Sequence, residues 1–206
     1  MRDFTFHTPT EVIFGRDAEL KTGQAAKKYG ASRVLVVYGK GSVVRSGLLD
    51  RVCKTFEEEG LSYQQFGGVE PNPRVGLTRE AIKTAIDMKA DMIVGVGGGS
   101  VIDTAKAIAH GAANPDIDIW DLWLRKQPLE KSLPVGAVVT IPAAGSEMSD
   151  SSVLTNEETQ EKRGLNTQLN RPAFAIMNPA LATTLPIYQV ACGVTDIYMH
   201  TLERYF

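Results

Sequence analysis

The stretch VGVGGGSVIDTAKA, from Val94 to Ala107, decides the fold class of this chain. An apolar strand runs into a turn with glycines at positions 95, 97, 98 and 99, and a helical pattern follows. Ser100 stands where a helix N-cap is expected. Bare backbone N–H groups at the start of a helix form an anion site that suits a phosphate. The predicted phosphate ligands are Gly97, Gly98, Gly99 and Ser100.

The glycine turn matches neither of the two common nucleotide fingerprints. A G-x-G-x-x-G motif beginning at Gly95 needs a glycine at position 100, where this chain has Ser100. A P-loop needs Gly-Lys-Ser/Thr at its end, and the turn lacks it. The alternative is a tight strand-to-helix connection in which the glycines serve packing alone. Phosphate binding is favoured because adjacent glycines add a large entropic cost to folding, which a role in packing alone does not explain.

Composition restricts the class of protein. The chain has 206 residues, of which 43% are hydrophobic and 22% are charged, as in an ordinary globular protein. A net charge of −2 gives no reason to expect nucleic acid or a membrane surface as partner. No apolar run approaches the roughly 20 residues that span a bilayer. Cys53 and Cys192 lie far apart, so two thiols are expected rather than a disulfide. We expect a cytoplasmic protein.

Strands and helical stretches alternate through the first two-thirds of the chain, which predicts βαβ units and a mostly parallel sheet. The run RVLVVY at 33–38 is continuously apolar, as in a strand covered on both faces. Short strands at 4–6 and 12–14 are expected to pair around Pro9. The other predicted strands are 62–66, 91–94, 136–141, 152–155 and 173–177, and the predicted helices are 18–29, 43–59, 74–88 and the stretch after Ser100.

Four glycine-containing turns follow predicted strands, at 38–42, 67–73, 97–100 and 140–147. Singly, each is typical of a surface turn. Ligands of parallel sheets bind beyond the carboxyl ends of the strands, where such turns meet. Together the four turns therefore favour one dinucleotide cleft.

The chain changes character after Pro186. Residues 187–206 form one helical pattern in which Asp196 and His200 stand four apart, on the same face. A carboxylate and an imidazole so placed can hold a divalent metal. From the spacing alone, however, a surface ion pair is the more frequent explanation.

Five motifs in order resemble the iron-containing (group III) alcohol dehydrogenases: PNP at 71–73, GGGSVIDTAK at 97–106, PAAGSE at 142–147, MNPALATTLP at 177–186 and GVTDIYMHTLERY at 193–205. The resemblance covers essentially the whole chain and is greatest to the NADPH-dependent butanol dehydrogenase and aldehyde reductase branch. It implies a Rossmann-like α/β dinucleotide-binding domain at 1–185. It also implies that 186–206 begins an all-helical metal-binding domain whose remainder lies outside this chain.

The resemblance also implies site residues. Asp196 and His200 match two metal ligands, with Fe(II) expected and Zn(II) as the alternative. Lys106 belongs to the same motif as Asp103 and is expected near the nicotinamide. The cofactor-binding residues implied are Gly39, Ser42, Asn72, Gly97, Gly98, Gly99, Ser100, Asp103, Thr140, Ser146 and Lys162.

Cofactor preference is predicted at Gly39. NAD-preferring members of the family carry an acidic residue there, just after the strand, and a carboxylate would repel a 2′-phosphate. Glycine leaves room, and Lys40 or Ser42 can meet the phosphate. NADP(H) is therefore favoured over NAD(H).

The expected reaction is hydride transfer between NADP(H) and a primary alcohol or aldehyde such as butanol or butanal, in a family whose full-length members are expected to be homodimers. The alternatives are a dinucleotide-binding fragment without catalysis and a relative of the glycerol dehydrogenases.

His7, expected on a strand, and His110 are expected to be structural or solvent-facing. Two departures from the family pattern are Ala144, which lacks a hydroxyl near the cofactor, and Asn178, where many members have aspartate; the second is expected to be harmless.

Overall fold

The computed structural model describes residues 3, 5 and 7–206. Six strands form a parallel sheet in the order β1-β8-β5-β4-β2-β3, and β6 and β7 form a separate antiparallel hairpin. The strands are β1 (Glu11–Phe14), β2 (Arg33–Gly39), β3 (Ser62–Val69), β4 (Met92–Gly97), β5 (Val135–Val139), β6 (Ser151–Asn156), β7 (Glu161–Asn166) and β8 (Phe174–Met177). The predicted α/β class with a mostly parallel sheet is confirmed.

Seven α-helices accompany the sheet in the described part of the chain: α1 (Thr22–Lys28), α2 (Ser42–Arg45), α3 (Leu48–Glu58), α4 (Val75–Asp87), α5 (Gly99–Ala113), α6 (Ile119–Trp123) and α7 (Ile187–Tyr205). Short 3-10 helices lie at Ala18–Lys21, Gln168–Asn170 and Pro179–Ala182. The helix predicted at 43–59 is divided, because Gly47 takes the left-handed conformation (φ 69°) between α2 and α3.

The core has one layer on each face of the sheet. Val34 and Val36 of β2 pack with α1 and α3, whereas Leu35 and Val37 pack with α4 and α5. All four side chains are fully buried. This alternation confirms that RVLVVY is a strand covered on both faces.

The N-terminal and hairpin segments differ from the expectation. β1 joins the sheet edge in parallel with β8, Glu11 opposite Phe174, and the predicted strand at 4–6 includes Phe4 and Phe6, which lie outside the described residues. The segment 152–155 pairs with β7 rather than extending the main sheet. β7 was not predicted because its sequence, EKRGLN, is polar and mostly exposed.

Helix α7 is exposed along most of its length. Of its 19 residues only Gly193 is buried, and apolar side chains such as Tyr188 and Val194 face solvent. A Cβ atom at Gly193 would lie 2.7 Å from the Pro142 carbonyl oxygen, so the helix rests on the loop that follows β5. Among the described residues, no helix is both long and apolar enough to cross a membrane.

Candidate functional site

The cleft lies where the sheet changes winding direction. From β2 the chain proceeds through α3 on one face to β3, and from β4 it proceeds through α5 on the opposite face to β5. Gly39 and Gly97 are the last residues of these two adjacent strands. A crevice opens beyond the strands at such a switch point, and it is the usual ligand site of an open parallel sheet.

A cavity of about 380 Å³ occupies this switch point. It joins the turns after β2, β3, β4 and β5, as the sequence predicts. Its lining includes Gly39, Ser42, Glu70, Gly97, Gly98, Gly99, Ser100, Thr140 and Gln189. The structure therefore brings seven of the predicted cofactor residues to one cleft.

The helix after the glycine turn begins earlier than predicted. Gly98, not Ser100, is the N-cap of α5, and Ser100 lies in its first turn, so the N-cap prediction is wrong. The first backbone bonds of the helix run from the N–H groups of Val101 and Ile102 to the Gly98 carbonyl. The N–H groups of Gly99 and Ser100 precede these bonds and are the ones a helix leaves for an external acceptor.

The glycines serve close approach rather than unusual dihedral angles. Gly95 and Gly97 belong to β4, and neither they nor Gly98 and Gly99 have positive φ. A Cβ at Gly97 would lie 2.6 Å from a Val101 methyl carbon. At Gly99 the nearest neighbour of an added Cβ would be Ser146 Cβ at 4.0 Å, so this position is open toward the cleft.

Charged residues surround the end of the cleft near Gly39. Lys40 forms an ion pair with Glu70, and Arg74 Nη2 lies 2.6 Å from the other Glu70 oxygen. Hydrogen bonding from Lys40, with Arg74 also contributing, lowers the pKa of Glu70. Sequence reasoning missed Glu70, although its position directly after a strand and before the PNP motif was a signal.

Asn72 and Lys162 lie apart from the cavity lining. Lys162 Nζ donates a hydrogen bond to Asn72 Oδ1 at 2.8 Å, joining the β3–α4 turn to the β6–β7 hairpin. Asn72 has a left-handed φ of 60°. The two residues that the resemblance places near the cofactor therefore meet each other, and their contact with a dinucleotide stays a prediction.

Asp103, Lys106 and Ser146 form a polar cluster beneath the glycine turn. Ser146 Oγ donates to Asp103 Oδ1 (2.5 Å), and the Val153 N–H donates to Asp103 Oδ2 (3.0 Å). Burial raises the pKa of Asp103, although Ser146 and Lys106 act to lower it. Burial also lowers the pKa of Lys106 to about 8. These side chains bond to protein partners, and their predicted role toward the nicotinamide stays untested.

Asp196 and His200 form a pair on the face of α7 that meets the domain. The residues Gln189, Gly193, Asp196, His200 and Arg204 follow one another at helical spacings of three or four, which makes one stripe. Gln189 lines the cavity at the switch point, Gly193 rests on the β5–β6 connection, and Arg204 lines a second cavity. The stripe therefore faces the α/β domain, with a cavity at each of its ends.

The pair has the chemistry of two metal ligands. His200 Nε2 lies 3.5 Å from Asp196 Oδ1, and both side chains are about half exposed (49% and 43%). Within the described ranges, no group of three His, Cys, Asp or Glu side chains is close enough to share an ion. A catalytic metal usually takes at least three protein ligands, so these residues fit only part of such a site.

The other two histidines lie elsewhere. His110 is fully buried, with Nδ1 2.8 Å from Ser132 Oγ and Nε2 2.8 Å from Asn170 Oδ1. Burial lowers the pKa of His110 to about 4, so the ring is neutral and structural, as expected. His7 is exposed and has no regular secondary structure, so its predicted strand position is wrong.

Asn178 proves to be more than a turn residue. Its side-chain NH₂ group donates to Glu19 Oε2 at 2.7 Å, and Arg51 contacts the other Glu19 oxygen at 3.2 Å. Asn178 and Glu19 are only 4% and 3% exposed. Sequence reasoning missed this network because its members are far apart in the chain.

The topology and the cleft define the class: an open, parallel α/β domain with a phosphate-type helix start at its switch point. The chain belongs to the iron-containing alcohol dehydrogenase family, whose model matches residues 9–179. The family predicted from the five motifs is confirmed.

Some of the similar proteins are named for NADH and others for NADPH. The chain is 42% identical to the probable NADH-dependent butanol dehydrogenase 1 of Bacillus subtilis, over all of this chain and 53% of that protein. It is 38% identical to the NADPH-dependent aldehyde reductase YqhD of Escherichia coli, over all of this chain and 52% of that protein. The crystal structure of NADH-dependent butanol dehydrogenase A from Thermotoga maritima superposes with a TM-score of 0.95 at 40% identity, covering 98% of this chain and 51% of that one. The chain thus spans about half the length of these relatives.

Proposed function

We propose that this chain binds a nicotinamide dinucleotide at the β2–β4 switch point and contributes the cofactor half of a metal-dependent dehydrogenase for primary alcohols and aldehydes. The observation that carries the proposal is the open glycine turn at Gly97–Gly99, which ends in the first turn of α5 inside the 380 Å³ cavity. The N–H groups of Gly99 and Ser100 donate to the pyrophosphate, and the partial positive charge of a 15-residue helix adds to the attraction.

Asp196 and His200 are the proposed contribution of this chain to the metal site. Fe(II), with Zn(II) as the alternative, would take the Asp196 side chain and the His200 imidazole as two of its ligands. A bound metal supplies Lewis acidity toward the substrate oxygen, and the dinucleotide supplies or accepts the hydride. The role of α7 is to hold both side chains over the carboxyl ends of the strands, where the cofactor binds.

The proposal is tested by titrating the 206-residue chain with NADPH and with NADH, followed by nicotinamide fluorescence. Saturable binding that NADP⁺ displaces is expected, and no binding of either cofactor would contradict the proposal. Oxidation of NADPH dependent on butanal, with added Fe(II) or Zn(II), then tests turnover. Binding without turnover would favour the second candidate function, dinucleotide binding alone. The incomplete ligand set around Asp196 and His200 favours that outcome for the isolated chain.

Cofactor preference is proposed to be NADP(H). Gly39 ends β2 without a side chain, and Lys40 and Arg74 supply two positive charges around the single carboxylate of Glu70. The local excess of positive charge favours a 2′-phosphate. The homodimeric state of full-length relatives stays a prediction for this chain.

Gly39→Asp is expected to raise the dissociation constant for NADP⁺ by about tenfold or more relative to the dissociation constant for NAD⁺, because the new carboxylate repels a 2′-phosphate. The fold should tolerate the change, since an added Cβ would meet the Val69 carbonyl oxygen at 3.4 Å. Gly39→Asn is the matched control, with the same shape and no charge. Equal ratios in the two variants would refute the assignment of Gly39 as the selectivity position.

A further inference from the structure

We propose that Lys106 is a positioning residue: its buried ammonium group fixes the β5–β6 loop (residues 140–150) against α5 and thereby sets how tightly the cleft holds a dinucleotide. Lys106 lines neither the cofactor cleft nor the surface. This inference rests on the proposed function only for its second half, because the fixing of the loop is independent of any ligand.

The β5–β6 loop is the part of the cleft that needs an anchor. It contains no helix or strand, yet it supplies Thr140 and Ala143 to the cavity and the Pro142 carbonyl on which α7 rests. Segments without regular hydrogen bonding are the first to open in a folded protein. Its conformation therefore depends on side chains outside the loop.

Lys106 provides three such contacts from one atom. Its Nζ donates to Ser146 Oγ (3.1 Å), to the Ser149 carbonyl (3.2 Å) and to the Ser151 carbonyl at the start of β6 (2.7 Å). The residue is 0% exposed, and a lysine is almost never fully buried unless its charge is paired. The three hydrogen bonds of the ammonium group thus hold the end of the loop and the first residue of β6.

Asp103 adds an attachment from the preceding turn of α5, beside the hydrogen bonds that Arg171 and Asn170 donate to the Met148 and Asp150 carbonyls. Its carboxylate accepts hydrogen bonds from Ser146 Oγ and from the Val153 N–H, so that α5 holds both the loop and β6. Ser146 is also the residue nearest to the open side of Gly99. The same helix that begins at the phosphate site therefore sets the position of the loop beside that site.

The charges around Lys106 come from three segments. Asp103 on α5 and Glu147 and Asp150 in the loop favour the charged ammonium, whereas Arg171, after the 3-10 helix Gln168–Asn170, opposes it. Lys106 also acts on His110, whose pKa it helps to lower. Burial outweighs the three carboxylates and brings the pKa of Lys106 down to about 8.

The test compares Lys106→Met, which keeps the length of the side chain but has no donor, with Lys83→Met, which removes an exposed lysine from α4. Hydrogen exchange of peptides covering 140–150 should be at least tenfold faster in Lys106→Met, with α3 peptides unchanged. Unchanged exchange of the loop would overturn the proposal. A native chain that binds neither NADPH nor NADH would refute the proposed function, and the exchange result would still decide whether Lys106 fixes the loop.

Affinity tests the second half. The dissociation constant for NADPH at pH 7 should rise at least tenfold in Lys106→Met and stay unchanged in Lys83→Met. Between pH 7 and 9.5 the native constant should rise as Lys106 loses its proton, whereas the constant of Lys106→Met should stay flat; a purely structural role predicts parallel profiles. If Lys106→Met does not fold, exchange of the native chain decides: loop protection must fall above about pH 8 relative to α3, and constant protection would overturn the proposal.

Discussion

Asn178→Asp is expected to lower the free energy of unfolding by about 3 kcal/mol at pH 8, because it sets two carboxylates against each other in a buried site. In the native chain the Asn178 amide donates to Glu19 Oε2 at 2.7 Å. Aspartate has no such donor, while it can still accept the bond from the Ala180 N–H (3.0 Å) that Asn178 accepts. Arg51 is bonded to the opposite oxygen of Glu19 and cannot separate the two charges.

Urea unfolding at pH 8 and pH 5 measures this effect. The variant should recover part of its stability at pH 5, because two adjacent carboxylates bind a shared proton more readily than an unfolded chain does, and stability then falls as pH rises. Glu19→Gln combined with Asn178→Asp should restore most of the loss by reversing donor and acceptor. If Asn178→Asp alone is as stable as the native chain at pH 8, the hydrogen bond between Asn178 and Glu19 does not contribute to stability.

Gly99→Asp is expected to weaken dinucleotide binding about a hundredfold, or close to 2.7 kcal/mol, because a carboxylate would occupy the place proposed for the pyrophosphate. The position has room, since the nearest neighbour of an added Cβ lies at 4.0 Å. The same carboxylate stabilises the first turn of a helix by roughly 0.3–1 kcal/mol. Affinity should therefore fall while the melting temperature holds or rises.

Fluorescence titration with NADPH, together with thermal unfolding of the unliganded chain, measures both quantities. Gly99→Asn is the matched control, because it has the same shape without the charge and should retain most of the affinity. Equal losses in the two variants would mean that Gly99 matters for space and not for phosphate charge. Full affinity in Gly99→Asp would place the phosphate elsewhere.

The features predicted correctly from sequence are those written in short-range patterns. The apolar run 33–38 is a buried strand, and Gly98 and Gly99 join a strand to a helix, both as expected; Gly95 and Gly97, however, belong to β4, which was predicted to end at Val94. The spacing of Asp196 and His200 places them on one helix face whatever the rest of the fold does. The limits of local reasoning appear even here, because the helix start was misplaced by two residues.

The features that were missed depend on contacts between distant segments. Lys106 reaches Ser151 across 45 residues, and Asn178 reaches Glu19 across 159. No periodic pattern in the sequence predicts such a bond, and each of these residue types is usually exposed. Glu70 is an intermediate case: its place at a strand end and Arg74 four residues on are visible in the sequence, but its pairing with Lys40 depends on β2 and β3 being neighbours in the sheet.

Helix α5 has one further consequence. At 15 residues it is about 22 Å long, and its side chains are bonded at successive turns to separate parts of the molecule: Asp103 to β6, Lys106 to the β5–β6 loop and His110 to Ser132 and Asn170. An anion that reduces the mobility of the first turn of α5 would therefore also reduce the conformational entropy of segments that do not contact the anion. Part of the free energy of binding would then be set at the far end of the helix, where sequence changes can tune affinity without altering the cleft.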